Sequence, residues 1–297
     1  MDSVIHTDGL TKKYGDFAAL DHLDLAVNKG EVLGYLGPNG AGKTTTIRLL
    51  LGLIAPSAGS AQIFGLDTQK DKIAIHRRLA YVPGEATLWP SLTGAETLHL
   101  LGKIHGEADS TYLKELVRRF QFDDAKKVRA YSKGNKQKIN LIAAFASRAE
   151  LLVLDEPTSG LDPIMEQAFR ECVLEAKANG QTIFLSSHIL GEVEALCDRV
   201  AILRSGKLVE LGTLTDMRHL SAVTVEATFE AKPPAVSKVT GVKNAAVTGH
   251  HLVCQVQGDI APLLSVLAKA KPKTLLSREP SLEELFLSLY GAEENRV

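Results

Sequence analysis

Residues 31 to 54 read EVLGYLGPNGAGKTTTIRLLLGLI. The stretch opens on an apolar run that ends in glycine, EVLGYLG (31–37), the pattern of a buried strand. It continues through GPNGAGKT (37–44), which matches G-x-x-x-x-G-K-[ST]. It closes on KTTTIRLLLGLI (43–54), where Ile47, Leu50, Leu51 and Ile54 predict one apolar helix face. Strand, glycine loop and helix are the context a phosphate-binding loop requires. Gly37, Gly40 and Gly42 let the backbone wrap closely around an anion. Backbone N–H groups and the helix N-terminus would face the phosphate oxygens. Lys43 is expected to reach the β- and γ-phosphates, and the Thr44 hydroxyl to bind Mg²⁺. Asn39, Ala41 and Thr45 complete the loop expected around the nucleotide.

A phosphate loop needs acids to complete its chemistry. LLVLDEP (151–157) supplies them at the end of a second buried strand. Asp155 is expected at the Mg²⁺, directly or through water, and Glu156 is placed to polarise an attacking water. QTIFLSSH (181–188) reads as a further strand, and RVAILRSGKLVELG (199–212) as two strands around SGK. The first 65 residues read as short strands with turns, and residues 93–150 as mostly helical. Strands alternating with helices argue for an α/β core with a parallel sheet.

The bulk numbers narrow the class. The chain has 297 residues and a formal net charge of -1, with 45% hydrophobic and 23% charged residues. Such a balance fits a globular protein with a substantial core and argues against direct nucleic-acid binding. Cys172, Cys197 and Cys254 are far apart, which disfavours a zinc site or disulfide framework and suits a reducing compartment. MDSVIHTDGL lacks the charged start and apolar run of a signal peptide. No window reaches 18 uninterrupted apolar residues, so work at a membrane is expected to go through a partner.

Four further stretches give the loop and the acids a family context. YSKGNKQ (131–137) resembles the signature motif of ATP-binding cassette (ABC) proteins, L-S-G-G-Q. SGLD (159–162) resembles their D-loop. LSSH (185–188) ends in a histidine, as their switch motif does. Tyr14, in KKYGD, stands where the family places an aromatic to stack on adenine. The resemblance covers residues 3 to 217. It implies an ABC ATPase fold: a phosphate-loop core sheet, an antiparallel β subdomain and a helical subdomain at about 90–150. It also implies ATP and Mg²⁺ as cofactors and two nucleotide-binding domains facing head to tail, the second being another copy or a related subunit. Ser132, Gly134 and Asn135 would then cap the γ-phosphate bound by the opposite phosphate loop, Asp162 would link the two sites, and His188 would contact the γ-phosphate or the water. Lys136 and Lys138 read as a solvated helix face.

The sequence also departs from the pattern. Tyr131 replaces Leu, Lys133 the first Gly, and Asn135 the Gln of the signature. After YVP the family carries a glutamine that touches Mg²⁺, and here Gly84 stands in that place. Glu85 is a Mg²⁺ ligand if it shifts in, or else simply exposed. Trp89, the only tryptophan, reads as a docking aromatic for a membrane partner or as a core residue.

After Met217 the composition changes. A strand (222–229), a short helix (233–241), a hairpin (245–256), a helix (261–270), an extended stretch (273–277) and a helix N-capped by Ser281 (281–291) follow. The order is compatible with a ferredoxin-like α+β unit over 218–297. Its final segment, PSLEELFLSLYG, resembles the tail of exporter ATPases of the drug, antibiotic and polysaccharide class. The expectation is the ATP-hydrolysing subunit of an exporter, peripheral on the cytoplasmic face of the membrane and working with a separate permease. The alternative is a soluble ABC ATPase with a regulatory, nucleic-acid-linked or ribosome-linked role. Only one phosphate loop is present, and no sustained heptads lie between loop and signature, which disfavours that alternative. A binding module with a dead site is opposed by intact Lys43, Asp155, Glu156 and His188.

Overall fold

The computed structural model describes residues 3–104, 110–219, 222–279 and 283–284. The chain divides into two compact units, Met1–Leu211 and Gly212–Val297.

The first unit is built on a six-stranded sheet. It contains β3 (Val32–Leu36), β6 (Leu79–Val82), β7 (Leu151–Asp155), β8 (Thr182–Ser187), β9 (Arg199–Arg204) and β10 (Lys207–Thr213), in the order β10-β9-β3-β8-β7-β6. Strands β6, β7, β8, β3 and β9 run parallel to their neighbours. Every residue of β3, β7 and β8 is buried, as continuous apolar runs in a two-sided parallel sheet must be. Period-two alternation then divides the side chains. Leu152, Leu154, Ile183 and Leu185 join the core on one face. Leu151, Val153, Phe184, Leu33 and Tyr35 join the other. Each such side chain contributes about 1.5–3 kcal/mol on burial.

A second sheet, ordered β2-β1-β4-β5, covers one face. Its strands are β1 (Ser3–Tyr14), β2 (Phe17–Asn28), β4 (Ala58–Ile63) and β5 (Leu66–Asp67). The first two have 12 residues each, so the expectation of short strands here is corrected. The pair is interrupted by register shifts, the kind of irregularity that increases local twist in so long a ladder.

Helix α1 spans Lys43–Leu50, four residues fewer than the apolar pattern to Ile54 predicted. Gly52 ends it at φ 64°, with Thr68 O only 2.3 Å from where a Cβ would stand. A left-handed glycine just past the last turn is a helix stop. Helix α2 (Lys72–His76) precedes β6, and the helical region comprises α3 (Gly94–Ile104), α4 (Ser110–Arg119) and α5 (Lys133–Ala146). Helix α5 buries almost its whole circumference, Lys138 included at 9% exposed. The solvated-face reading of Lys138 is therefore corrected. Burial lowers its pKa, and Asp162 partly offsets this. Helices α6 (Pro163–Ala178) and α7 (Leu190–Leu196) flank β8 in sequence. Trp89 is 46% exposed, which removes its core reading.

In the second unit, α8 (Leu214–His219) precedes a four-stranded sheet. The strands are β11 (Val223–Thr228), β12 (Val242–Thr248), β13 (His251–Val256) and β14 (Thr274–Arg278), in the order β12-β13-β11-β14 and all antiparallel. Helix α9 (Ala261–Ala270) packs Leu263 and Leu267 on the core formed by Val225, Leu252 and Cys254. The strand order is the ferredoxin-like one. The helix expected over 233–241 is absent; residues 233–236 are irregular and turns follow within 237–241, although Val236 still reaches the core. The segment is too short, and too rich in β-branched residues before Gly241, to nucleate a helix. The helix expected over 281–291, with its cap Ser281, falls almost wholly outside the described residues.

Candidate nucleotide site

The register of the parallel sheet assembles the site. Leu36 pairs with Ser187, and Ser186 with Asp155. The carboxyl ends of β3, β8 and β7 therefore emerge side by side, the place where open α/β sheets bind ligands. The phosphate loop leaves β3 there and enters α1, with Gly42 as N-cap at φ 109°.

The loop is fixed by close backbone approaches. A Cβ on Gly37 would stand 2.6 Å from Leu203 O, and one on Gly42 would stand 2.5 Å from Ala19 O. Gly206, in the turn between β9 and β10, clamps the loop from behind. Its N–H donates to Ala41 O at 2.9 Å, and its carbonyl accepts from Asp21 N at 2.8 Å. Ser205 and Gly206 both have positive φ, which a two-residue hairpin turn of this hand requires.

Lys43 is 6% exposed. Its ammonium donates to Gly37 O at 2.6 Å and Pro38 O at 3.3 Å, and lies 3.5 Å from Glu156 Oε1. Thr44 Oγ1 donates to Asp155 Oδ2 at 3.2 Å, and Ser186 Oγ to Asp155 Oδ1 at 3.0 Å. Burial raises the Asp155 pKa, against the two hydroxyls that lower it. A buried carboxylate beside a threonine hydroxyl is a hard oxygen pair that a Mg²⁺ ion fits. Glu156 takes a left-handed φ of 47°, unusual for a side chain of its size. Its N–H donates to Ser186 O, and its Oε2 lies 3.3 Å from His188 Nδ1. The carboxylate thus bridges the lysine and the histidine.

A concavity of about 350 Å³ opens over this group, lined by Tyr14, Asn39, Gly40, Gly42, Lys43, Thr44, Thr45 and Glu156. Phe17 and Ala19 line it too, and the sequence reading missed both. Phe17 pairs with Tyr14 across the β1–β2 hairpin, so two exposed aromatics stand at its edge. Lys12 lies 5.1 Å over the Tyr14 ring. Ser186 was missed as well. Its signal was the run of hydroxyls before His188. A larger groove, about 660 Å³, lies at the opposite ends of the strands, with Lys29, Phe64, Arg78 and Glu150 in its lining. It holds none of the predicted residues, and Arg78 is already engaged by Glu150 and Phe64.

Ser132, Gly134, Asn135 and Asp162 are not in the lining of the smaller concavity. They form a second group. Ser132 is the N-cap of α5 and accepts from Asn135 N at 3.2 Å. A Cβ on Gly134 would stand 2.2 Å from Gly160 O, and Lys133 Nζ donates to Ser159 Oγ at 3.1 Å. Signature and D-loop segments are thus in direct contact. Asp162 caps α6, accepting from Ile164 N and Met165 N. Tyr131 is buried, and its hydroxyl donates to Asp123 O at 2.6 Å. Gly84 passes against Asp155 and Glu156, a Cβ there standing 3.2 Å from Asp155 O. Glu85 is exposed, and among the described residues no hydrogen bond or ion pair joins it to Thr44 or Asp155.

The ABC transporter family profile matches residues 20–159. The daunorubicin resistance ATP-binding protein DrrA3 of Streptomyces coeruleorubidus is 34% identical over 100% of this chain and 98% of its own length.

The chain belongs to the ABC transporter family.

Other relatives in the family agree. The bacitracin transport ATP-binding protein BcrA of Bacillus licheniformis is 43% identical over 71% of this chain and 70% of its own length. The linearmycin resistance ATP-binding protein LnrL of Bacillus subtilis (strain 168) is 34% identical over 97% and 98%. A solved ATP-binding subunit of an ABC transporter superposes with a TM-score of 0.69 at 34% identity, over 73% of this chain and 92% of that one. The first unit thus has the ABC ATPase fold. No described helix is long and apolar enough to cross a membrane.

Proposed function

We propose that this chain is the Mg²⁺-dependent ATP-hydrolysing subunit of an exporter of the drug and antibiotic class. It works at the cytoplasmic face of the membrane with a separate transmembrane permease. The observation that carries the reading is the Lys43–Glu156–His188 chain of contacts, set beside the Thr44–Asp155 pair at the carboxyl ends of three adjacent strands. The names of its relatives support export and a small-molecule antibiotic as cargo class.

In this reading Tyr14 and Phe17 stack on the base, and the backbone of residues 37–44 and Lys43 bind the phosphates. Thr44 and Asp155 would hold the Mg²⁺, whose charge would offset that of the phosphates. Glu156 accepts a proton from the attacking water, and His188 holds the carboxylate oriented. Two copies meet head to tail. Ser132 and the amides at the start of α5 present an anion receptor to the γ-phosphate held by the other copy. Cleavage removes the group that joins the halves, so the pair loosens.

The test is light scattering of Glu156→Gln with ATP, and of the same variant carrying Ser132→Arg. The expected result is an ATP-dependent dimer that the second change abolishes. A Glu156→Gln chain that binds ATP and stays monomeric would remove the head-to-tail arrangement for the isolated subunit.

A further inference from the structure

Glu192 lies in the first turn of α7 and is 2% exposed. Its Oε2 accepts a hydrogen bond from Ser187 Oγ at 2.7 Å. Its Oε1 is buried and has no hydrogen-bond partner. Burial holds the carboxyl above the usual range. Glu166 on α6 adds to that, while Ser187, Thr158 and Arg170 oppose it. An acid in this setting weakens a fold, because a buried oxygen left unpaired keeps its full desolvation penalty. An apolar side chain of similar size would suit the packing better. What the acid supplies must lie elsewhere.

Its neighbours indicate where. Ser187 immediately precedes His188, and its Oγ also accepts from Ile189 N at 3.0 Å. One hydroxyl therefore ties both flanks of His188, and Glu192 fixes that hydroxyl. Thr158, which acts on the same carboxyl, is itself buried and two residues beyond Glu156. The Glu192 carboxyl thus anchors the strand end that carries His188 and lies near the turn that follows Glu156, and the His188 and Glu156 side chains meet at 3.3 Å in the site.

We propose that Glu192 is a positioning residue for ATP hydrolysis, holding His188 against Glu156 from behind without touching the nucleotide. The inference rests on the ATPase reading above. It concerns the hydrogen-bond acceptor at Ser187 rather than a negative charge, so a glutamine should largely serve.

The experiment uses the full chain with Glu192→Leu, Glu192→Gln and Glu192→Asp. Melting temperature, equilibrium binding of a fluorescent ATP analogue, single-turnover ATP hydrolysis and amide exchange at Ile189 are measured. The leucine variant is expected to melt no lower than the parent and to bind nucleotide within about twofold. It should hydrolyse about 10- to 100-fold more slowly, the scale of a displaced catalytic group. Its Ile189 amide should exchange faster. The glutamine variant should recover most of the rate. Hydrolysis at the parental rate in the leucine variant overturns the proposal. So does a parallel fall in melting temperature, binding and rate, which marks a structural role only. If the leucine variant fails to fold, the aspartate variant decides, since it keeps the acid but withdraws it from Ser187; an unchanged rate there overturns the proposal. A parent chain that binds ATP and never cleaves it would remove the ATPase reading itself, and the positioning role with it.

Discussion

At the scale of single residues, the site is organised by side chains that satisfy one another. Lys43 is held by two carbonyls of the loop it serves and by the Glu156 carboxylate. On the proposed function, replacing it with alanine would remove a charge-assisted contact to phosphate, worth about 1.5–3 kcal/mol. Nucleotide affinity should drop about 10- to 100-fold by equilibrium titration. On the proposed mechanism Glu156→Gln keeps the size and loses the base, so single-turnover hydrolysis should slow by about 10²–10⁴ while nucleotide stays bound. Gly134→Ala tests a steric claim. Its methyl would meet Gly160 O at 2.2 Å, an overpacking that costs about 1–3 kcal/mol, read as a lower urea midpoint. The phosphate loop, Asp155, Glu156 and His188 were legible because each ends a strand whose apolar run marks it. Phe17 and Ser186 were not, because their place depends on which strands become neighbours. Lys138 was misread because charge in a helical pattern suggests solvent, whereas α5 is enclosed nearly all round.

At the scale of elements, caps and short segments carry the lessons. Asp162 begins α6, a helix of 16 residues, by accepting two of its first amides. Asp162→Ala should lower stability by about 0.5–2 kcal/mol, and Asp162→Asn should restore it. If Asn restores the denaturation midpoint but not ATP-driven dimerisation, the carboxylate does more than cap. Strands β3, β7 and β8 could be read directly, since a buried parallel strand leaves an unbroken apolar run. The crossover at 233–241 could not. Val236 and Val239 have helical spacing, but so short a β-branched stretch is held by the core contact of Val236 rather than by helical hydrogen bonds.

At the scale of the whole molecule, each of the two units has its own apolar core. All residues that line the nucleotide concavity lie between Tyr14 and Glu156. A chain ending at residue 217 should therefore bind nucleotide within about twofold of the full chain. The same calorimetric titration on both chains checks this, and any change in ATP-driven dimerisation would belong to residues 218–297. The clamp that Gly206 places on Ala41 and Asp21 reaches further. Its φ of 77° and the approach of Ala19 O to 3.0 Å leave no room for a side chain. In a random-mutagenesis screen for lost nucleotide binding, Gly206 should score alongside the phosphate loop itself, although it does not line the concavity. A map of inactivating alleles drawn on the linear gene would show an isolated spot near the end of the first unit, and its biochemical phenotype would be weakened nucleotide binding.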